Sequence, residues 1–404
     1  MSVQPSSPAA TLLSEADHRA LLDAVQRVAR TELAALVDRP EQPMAPEQLA
    51  HAMHLLGEMG LLPCGAEPGC SLWDDPTDAS LRRFSVEALG ALAQVSPAVA
   101  YLAHQQALGM RLDRWAGARL AAPLGATPGR TLVALDGCWG VGRQALALTL
   151  AGQPLTPGQA EWLADVWAPP QGGRERLVFV SSATPSPALW WPQWTPAQGW
   201  VWCRAEPGTL ASLKHEQAHG LDELRLLSWQ AHGAALTCPD ADAALLTELL
   251  TLHGLGLLAI AQGTAERAIA RARDYAHMRR QGARLIIEHA AVQQLLAEAA
   301  QSAWLARTTL DALWAAPPGV SALHAVWRAR ARLQPQLVDA ASRALQVFGG
   351  MGYMRDTGAE KDLRDANTLR QLGGSPTELT LCCAALDGLL HPPAAQHPHE
   401  GALA

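Results

Sequence analysis

The chain has 404 residues, of which 49% are apolar and 17% charged, and carries a net charge of -7. That length suits two or three domains, and the composition excludes a disordered chain. Without a basic excess, neither nucleic acid nor a membrane surface is expected as a partner.

The first twenty residues, MSVQPSSPAATLLSEADHRA, have no basic n-region and no apolar h-region, so no secretory signal is expected. Seven cysteines occur without a CxxC pair, which points to a reduced, cytoplasmic protein. Aromatic usage is skewed to 14 Trp against 3 Phe and 3 Tyr, and nine of the Trp fall between Trp139 and Trp229. The middle of the chain therefore differs from both ends.

In chain order, apolar residues at 21, 22, 25, 28, 33 and 36 follow a helical period and predict a helix over 13–37. The same pattern predicts helices over 46–59 and 79–92. Ser96-Pro97 reads as an N-cap followed by Pro at the first helical position, opening a helix that runs to about residue 118. Residues 63–77 read as a loop. Between about 131 and 238 the runs TLVAL, ALALTL, RLVFV, WVWC and ELRLLSW alternate with Gly, Pro, Gln and Ser clusters, which predicts strands and turns. After Pro239 a long helix is expected over 243–279. It is apolar on more than one face, and Glu248, His253 and three glycines mark its first half as a buried helix and not a membrane span. Further helices are expected over 289–314, 320–347 and 376–390, with Pro335 kinking or splitting the second of these. The tail from His391 reads as frayed. The expected fold class is thus α+β and multidomain: a helical domain over 1–128, a β domain over 129–240 and a four-helix block over 241–404.

Two segments carry chemistry. Residues 346–365 read QVFGGMGYMRDTGAEKDLRD. Gly349, Gly350 and Gly352 let a backbone approach a ligand or take a positive φ, and Gln346 offers an amide just before them. A helix C-cap and loop would use the same residues. Residues 275–292 read YAHMRRQGARLIIEHAAV. Arg279 and Arg280 stand where a helix should end. Guanidinium groups there suit a diphosphate, and they equally complement a helix dipole.

Together the two segments resemble the acyl-CoA dehydrogenase flavoprotein family. That family has a Y-A-x-x-R-x-x-F-G-K run, then Q-I-F-G-G-x-G-Y, an R-D-A run and E-G-T-S. Tyr275-Ala276, Arg279, Glu288-His289, Gln346, Phe348-Gly349-Gly350, Gly352-Tyr353, Glu360 and Arg364-Asp365-Ala366 fall in register, over roughly residues 250–390. The resemblance implies an N-terminal helical domain, a central β-barrel and a C-terminal four-helix bundle. It implies FAD at a subunit interface, with Arg279, Arg280 and Gln281 at the diphosphate and Gln346, Gly349 and Gly350 at a neighbouring subunit's adenine half. Ser375 matches a flavin-contacting Thr, and Trp167 matches a Trp that backs the flavin ring, although packing inside a β domain would account for Trp167 as well. An acyl-CoA substrate, a homo- or hetero-oligomer with a related subunit, and an electron-acceptor flavoprotein follow as implied partners.

The pattern breaks at the catalytic base. The family reaction takes an α-proton with a carboxylate while a hydride passes to flavin. Counting from Arg364-Asp365 puts Gly373 at the Glu of E-G-T-S. Some relatives carry the Glu at the start of the helix before the YA motif, where this chain has His253. His253 and Glu378 remain as replacement bases, beside the plainer readings of a core histidine and a helix-start glutamate. The β domain also lacks the family's E-P-x-A-G-S-D stretch, with only DGCWGVGRQ (136–144) near that place. No metal is expected. His215/His219 and His51/His54 have ligand-like spacing without a third partner. Three functions stay open: a dehydrogenase with a displaced base, a non-catalytic or half-site subunit beside a complete paralogue, and a flavin monooxygenase of the same fold.

Overall fold

The computed structural model describes residues 13–37, 42–62, 71–119, 131–135, 143–168, 176–183, 187–207, 209–231, 236–238 and 243–389. Helices open the chain. α1 (Glu15–Val28), capped by the Ser14 hydroxyl, runs through a π turn into α2 (Ala34–Leu36). It is followed by α3 (Pro46–Glu58), α4 (Ala79–Ala93) and α5 (Pro97–Gly117). Ser96 caps α5 with Pro97 at its first position, as the sequence indicates.

The middle holds β1 (Thr131–Val133), α6 (Arg143–Leu150), α7 (Pro157–Val166), β2 (Arg176–Ser181), β3 (Ala188–Thr195), β4 (Gly199–Ala205), β5 (Leu210–Glu216), β6 (Leu224–Ala231) and β7 (Leu236–Cys238). The strands form two sheets, β1-β3-β4-β7 and β2-β6-β5, antiparallel except for the β1–β3 pair. Two helices replace expected strand or loop. ALALTL is helical in α6, where Ala145 to Leu148 are all buried and the helix packs against the last helix of the chain. Alanine and leucine favour that state wherever both sides of the segment are covered. In α7, Thr156 and Gln159 close a capping box around Pro157. The Trp residues build the core here: Trp167, Trp190, Trp191, Trp202 and Trp229 are fully buried. DGCWGVGRQ lies outside the described residues up to position 142, as do most of the 63–77 loop and the tail.

The C-terminal part holds α8 (Ala243–Met278), a hairpin of β8 (Arg280–Gln281) and β9 (Arg284–Leu285), α9 (Ala290–Leu313), α10 (Val320–Val347), α11 (Ala359–Gln371) and α12 (Pro376–Leu386). The apolar window of α8 is long enough to cross a membrane, but 78% of it is buried inside the molecule. α10 runs unbroken past Pro335. α11 is an additional helix, between the two expected over 320–347 and 376–390. α4 and α8 cross closely, since a Cβ on Gly263 would stand 2.2 Å from the Gly90 carbonyl oxygen.

Candidate functional site

The two positions that sequence reasoning marks for a base meet in space. A Cβ built on Gly373 would lie 3.0 Å from His253 Nε2 and 2.7 Å from Leu257 Cδ1. The junction is closed. His253 is 1% exposed, and its Nδ1 lies 3.1 Å from Nε2 of the fully buried His104. The rings are parallel at 5.3 Å. The Trp73 indole donates to His104 Nδ1 at 2.9 Å. That bond makes His104 Nδ1 an acceptor, so Nε2 carries its proton and points it at His253. From the other side, buried Arg330 donates to the carbonyl oxygens of Gly373 at 2.9 Å and Leu372, and its neighbour Gln334 donates to the carbonyl of Leu369. Gly373 has φ +54° and Gly374 has φ +109°, backbone states that glycine takes freely. No room exists at this point for a carboxylate side chain.

Glu378 is no freer to act as a base. Its carboxylate accepts from the Ser375 backbone N–H at 2.9 Å and from the Ser375 hydroxyl at 2.8 Å, forming a capping box at the start of α12. Both residues thus build the helix terminus, and Ser375 is a cap. Trp167 caps α7 and packs edge-on against Trp200 at 5.3 Å, with the Arg176 guanidinium 5.8 Å from its ring. It is a core residue. Glu248 pairs with Arg111 at 2.6 Å. His215 sits on a strand and His219 in a bend, so the pair does not share a helix face. His51 and His54 lie exposed on α3. Buried thiols offer no nucleophile: burial pushes Cys203 and Cys383 up to about 11.

The cofactor-type segments behave differently. They come together and face outward. Tyr275 stacks on Phe348 at 4.4 Å, so the end of α8 and the glycine turn share one apolar cluster with Ala272, Ala276 and Leu345. Arg279, Arg280 and Gln281 are exposed on the β8–β9 hairpin, whose turn residues Gly282 (φ +61°) and Ala283 (φ +67°) are both left-handed. No ion pair neutralises Arg279 or Arg280 among the described residues. Gln346, Gly349 and Gly350 are exposed too, and a Cβ on either glycine would meet nothing within 4 Å.

A cleft of about 640 Å3 lies between the β2–β6 face and α11, ending at Leu372 beside the closed junction. Val178, Phe179 and Leu226 form its apolar side, and Thr368 and Arg370 its polar side. Thr368 Oγ1 and Arg370 Nε are shielded from solvent without a partner among the described residues. Sequence reasoning missed Arg370, and also His104, Trp73 and Arg330. Arg330 was detectable: it interrupts the apolar stripe of Leu323, Val326, Trp327, Leu333 and Leu337 on α10.

Arg364-Asp365 joins domains. Asp365 accepts from the Leu221 backbone N–H at 2.7 Å, from Arg267 at 2.9 Å and from Lys361, which also reaches Glu223 at 3.2 Å. Arg364 pairs bidentately with Asp222 and with Glu360. Gly220 permits the approach, because its Cβ would lie 2.4 Å from the Arg364 carbonyl oxygen. Burial opposes ionisation of Asp365, but Lys361, Arg267 and the Leu221 amide outweigh it and hold the carboxyl below its ordinary value.

Residues 244–381 match the family model for the acyl-CoA dehydrogenase C-terminal domain. A probable acyl-CoA dehydrogenase of Bacillus subtilis, YngJ, is 32% identical over 134 residues, 32% of this chain and 35% of that protein. A 3-sulfinopropanoyl-CoA desulfinase of Paraburkholderia xenovorans is 28% identical over 147 residues, 36% of this chain and 38% of that protein. The matched stretch therefore spans little more than a third of these curated relatives. The fold match is wider: the butyryl-CoA dehydrogenase structure from Megasphaera elsdenii superposes with a TM-score of 0.66 at 16% identity, covering 91% of this chain and 97% of that one. Residues 244–381 thus match the acyl-CoA dehydrogenase C-terminal domain, and the chain as a whole has the fold of the acyl-CoA dehydrogenases.

Against the family pattern, two departures of the matched C-terminal part stand out. Where the family run has F-G after the arginine motif, this chain has Gly282-Ala283. Where E-G-T-S should supply the carboxylate, Gly373 faces His253 and Leu257 at contact distance. The arginine and glycine segments that resemble the family's lie on the surface, while the position aligned with the family carboxylate is a glycine closed in the interior.

Proposed function

We propose that this chain is a FAD-binding, acyl-CoA-handling subunit of an acyl-CoA dehydrogenase-type oligomer that does not itself take the α-proton. The observation that carries the reading is the closed junction of Gly373, His253 and Arg330 at both base positions. The residues present suit the cofactor. Exposed, unneutralised Arg279 and Arg280 and the side-chain-free surface at Gly349 and Gly350 fit a diphosphate and a nucleotide. Gln281 and Gln346 add amide groups beside them. The orphaned polar atoms of Thr368 and Arg370 give the 640 Å3 cleft a hydrogen-bonding edge opposite an apolar wall, which suits a flat heteroaromatic ring. FAD, when bound, supplies a two-electron acceptor. Ser375 and Trp167 are occupied in capping and packing and are not assigned to it.

An oligomer is part of the reading. Met278, Met351, Tyr353 and Met354 are strongly exposed beside the cofactor segments, an apolar grouping that a related subunit would cover. A complete paralogue would supply the carboxylate, and an electron-acceptor flavoprotein would reoxidise the pair. A stand-alone dehydrogenase is the second reading: His253 Nε2 lies at the base position, but with Nδ1 accepting from His104 a neutral His253 carries its proton on Nε2 and has no lone pair there.

The test is a visible spectrum of the purified chain followed by anaerobic titration with acyl-CoAs of several lengths. Bound flavin that stays oxidised alone but bleaches after co-expression with a carboxylate-bearing paralogue supports the subunit reading. Bleaching by the chain alone establishes the second, and His253→Ala must then abolish it. A chain that holds no flavin in either preparation defeats both.

A further inference from the structure

A separate cavity of about 310 Å3 lies between α1, α4, α8 and α9, away from the cleft. The close crossing of α4 and α8 at Gly90 and Gly263 sets it up. Gln262, the residue before the crossing, is 4% exposed, and its Oε1 faces Gly90. Its Nε2 is sealed from bulk solvent without a partner among the described residues, and so is Trp314 Nε1 on the same wall. Leaving such donors unmatched is costly. The cations of the cavity are already neutralised. Arg307 binds both oxygens of Glu266, and Arg83 binds Glu87 and Glu15. Asp311 is exposed at the rim, and no cation meets its carboxylate among the described residues. The cavity therefore offers two buried N–H donors without a partner and, at its rim, one hydrated carboxylate without a protein cation among the described residues.

The complement is a small molecule with an anionic acceptor at one end and a cation at the other. We propose that this cavity binds a zwitterion of the α-amino-acid class, its carboxylate accepting from Gln262 and Trp314 and its ammonium pairing with Asp311. A volume near 310 Å3 is at the lower end for small-molecule sites and suits a ligand of that size. Such a ligand would tie the N-terminal helices α1 and α4 to α8 and α9 of the bundle. The assignment does not depend on flavin.

The experiment is calorimetric titration and thermal melting of the full chain with each common α-amino acid at millimolar concentration. The best binder is then compared with its N-acetyl and methyl-ester forms. One or a few amino acids should bind and raise the melting temperature, and both blocked forms should fail. Asp311→Asn, at an exposed position that leaves folding intact, should weaken binding about tenfold, the loss of one charge-assisted contact. Gln262→Met, of similar volume, should do the same. Absence of any binding, which leaves water alone on the donors, overturns the proposal. So does binding that survives both substitutions or accepts the blocked forms.

Discussion

Gly373 concentrates the divergence of this chain in a single residue. Its φ of +54° is a state in which a side chain strains the backbone, and a Cβ there would stand 2.7 Å from Leu257. The left-handed state costs roughly 1–2 kcal/mol for a non-glycine residue, and overpacking a filled core about 1–3 kcal/mol more. Gly373→Ala should therefore lose about 2 to 5 kcal/mol in urea unfolding, with Gly373→Glu worse still and no dehydrogenation gained. An unchanged midpoint for Gly373→Ala would mean that the junction has slack and that a base could return there. His104 and His253 strengthen the case. The bond that His104 Nε2 donates to His253 Nδ1 and the one that Trp73 donates to His104 fix both rings as packing elements.

At the scale of elements, the start of α12 separates structure from chemistry. Ser375 and Glu378 are matched to each other across one helical turn, so Ser375→Ala should cost about 1 kcal/mol of stability, as for other N-caps. A flavin ligand would instead show as an altered flavin spectrum or weakened FAD retention, and neither is expected. Sequence patterns revealed much of the element order and failed where two physical states share one pattern. ALALTL alternates like a strand, and only cover on both sides makes α6 a helix. α11 was hidden because its inward face is charged: Lys361, Asp362 and Asp365 are buried there against Arg267 and Glu223, so no apolar period announces the helix. The two cofactor-type segments were legible because glycine and arginine at fixed spacing are read without burial. Arg370 and His104 were not, since their roles arise from elements far apart in sequence, and Arg330 left only the trace of a charge inside an apolar stripe.

At the scale of the molecule, the β domain is held to the bundle by a buried charge cluster. Asp365 is its centre, bonded to Leu221 of the β domain and to Arg267 and Lys361 of the bundle, with Glu223 closing the ring. The cluster stands beside the cleft between β2–β6 and α11, Asp365 lying two and three residues before the cleft-lining Asn367 and Thr368. Because Asp365 has its carboxyl held below the ordinary value near 3.8, folding favours the ionised form. Its stabilisation is fully present above the unfolded value and drains away as pH falls through the lower folded value. Asp365→Asn removes the charge and leaves Lys361 and Arg267 short of a partner. At neutral pH that should cost about 3–5 kcal/mol, the usual penalty for breaking a buried pair. The gap between wild type and variant should stay constant down to about pH 4 and close below it, where the wild-type carboxyl takes up its proton. Urea melts of both proteins across that pH range provide the measurement. A gap that stays constant throughout would show that Asp365 acts through shape and the Leu221 hydrogen bond, with its charge counting for little.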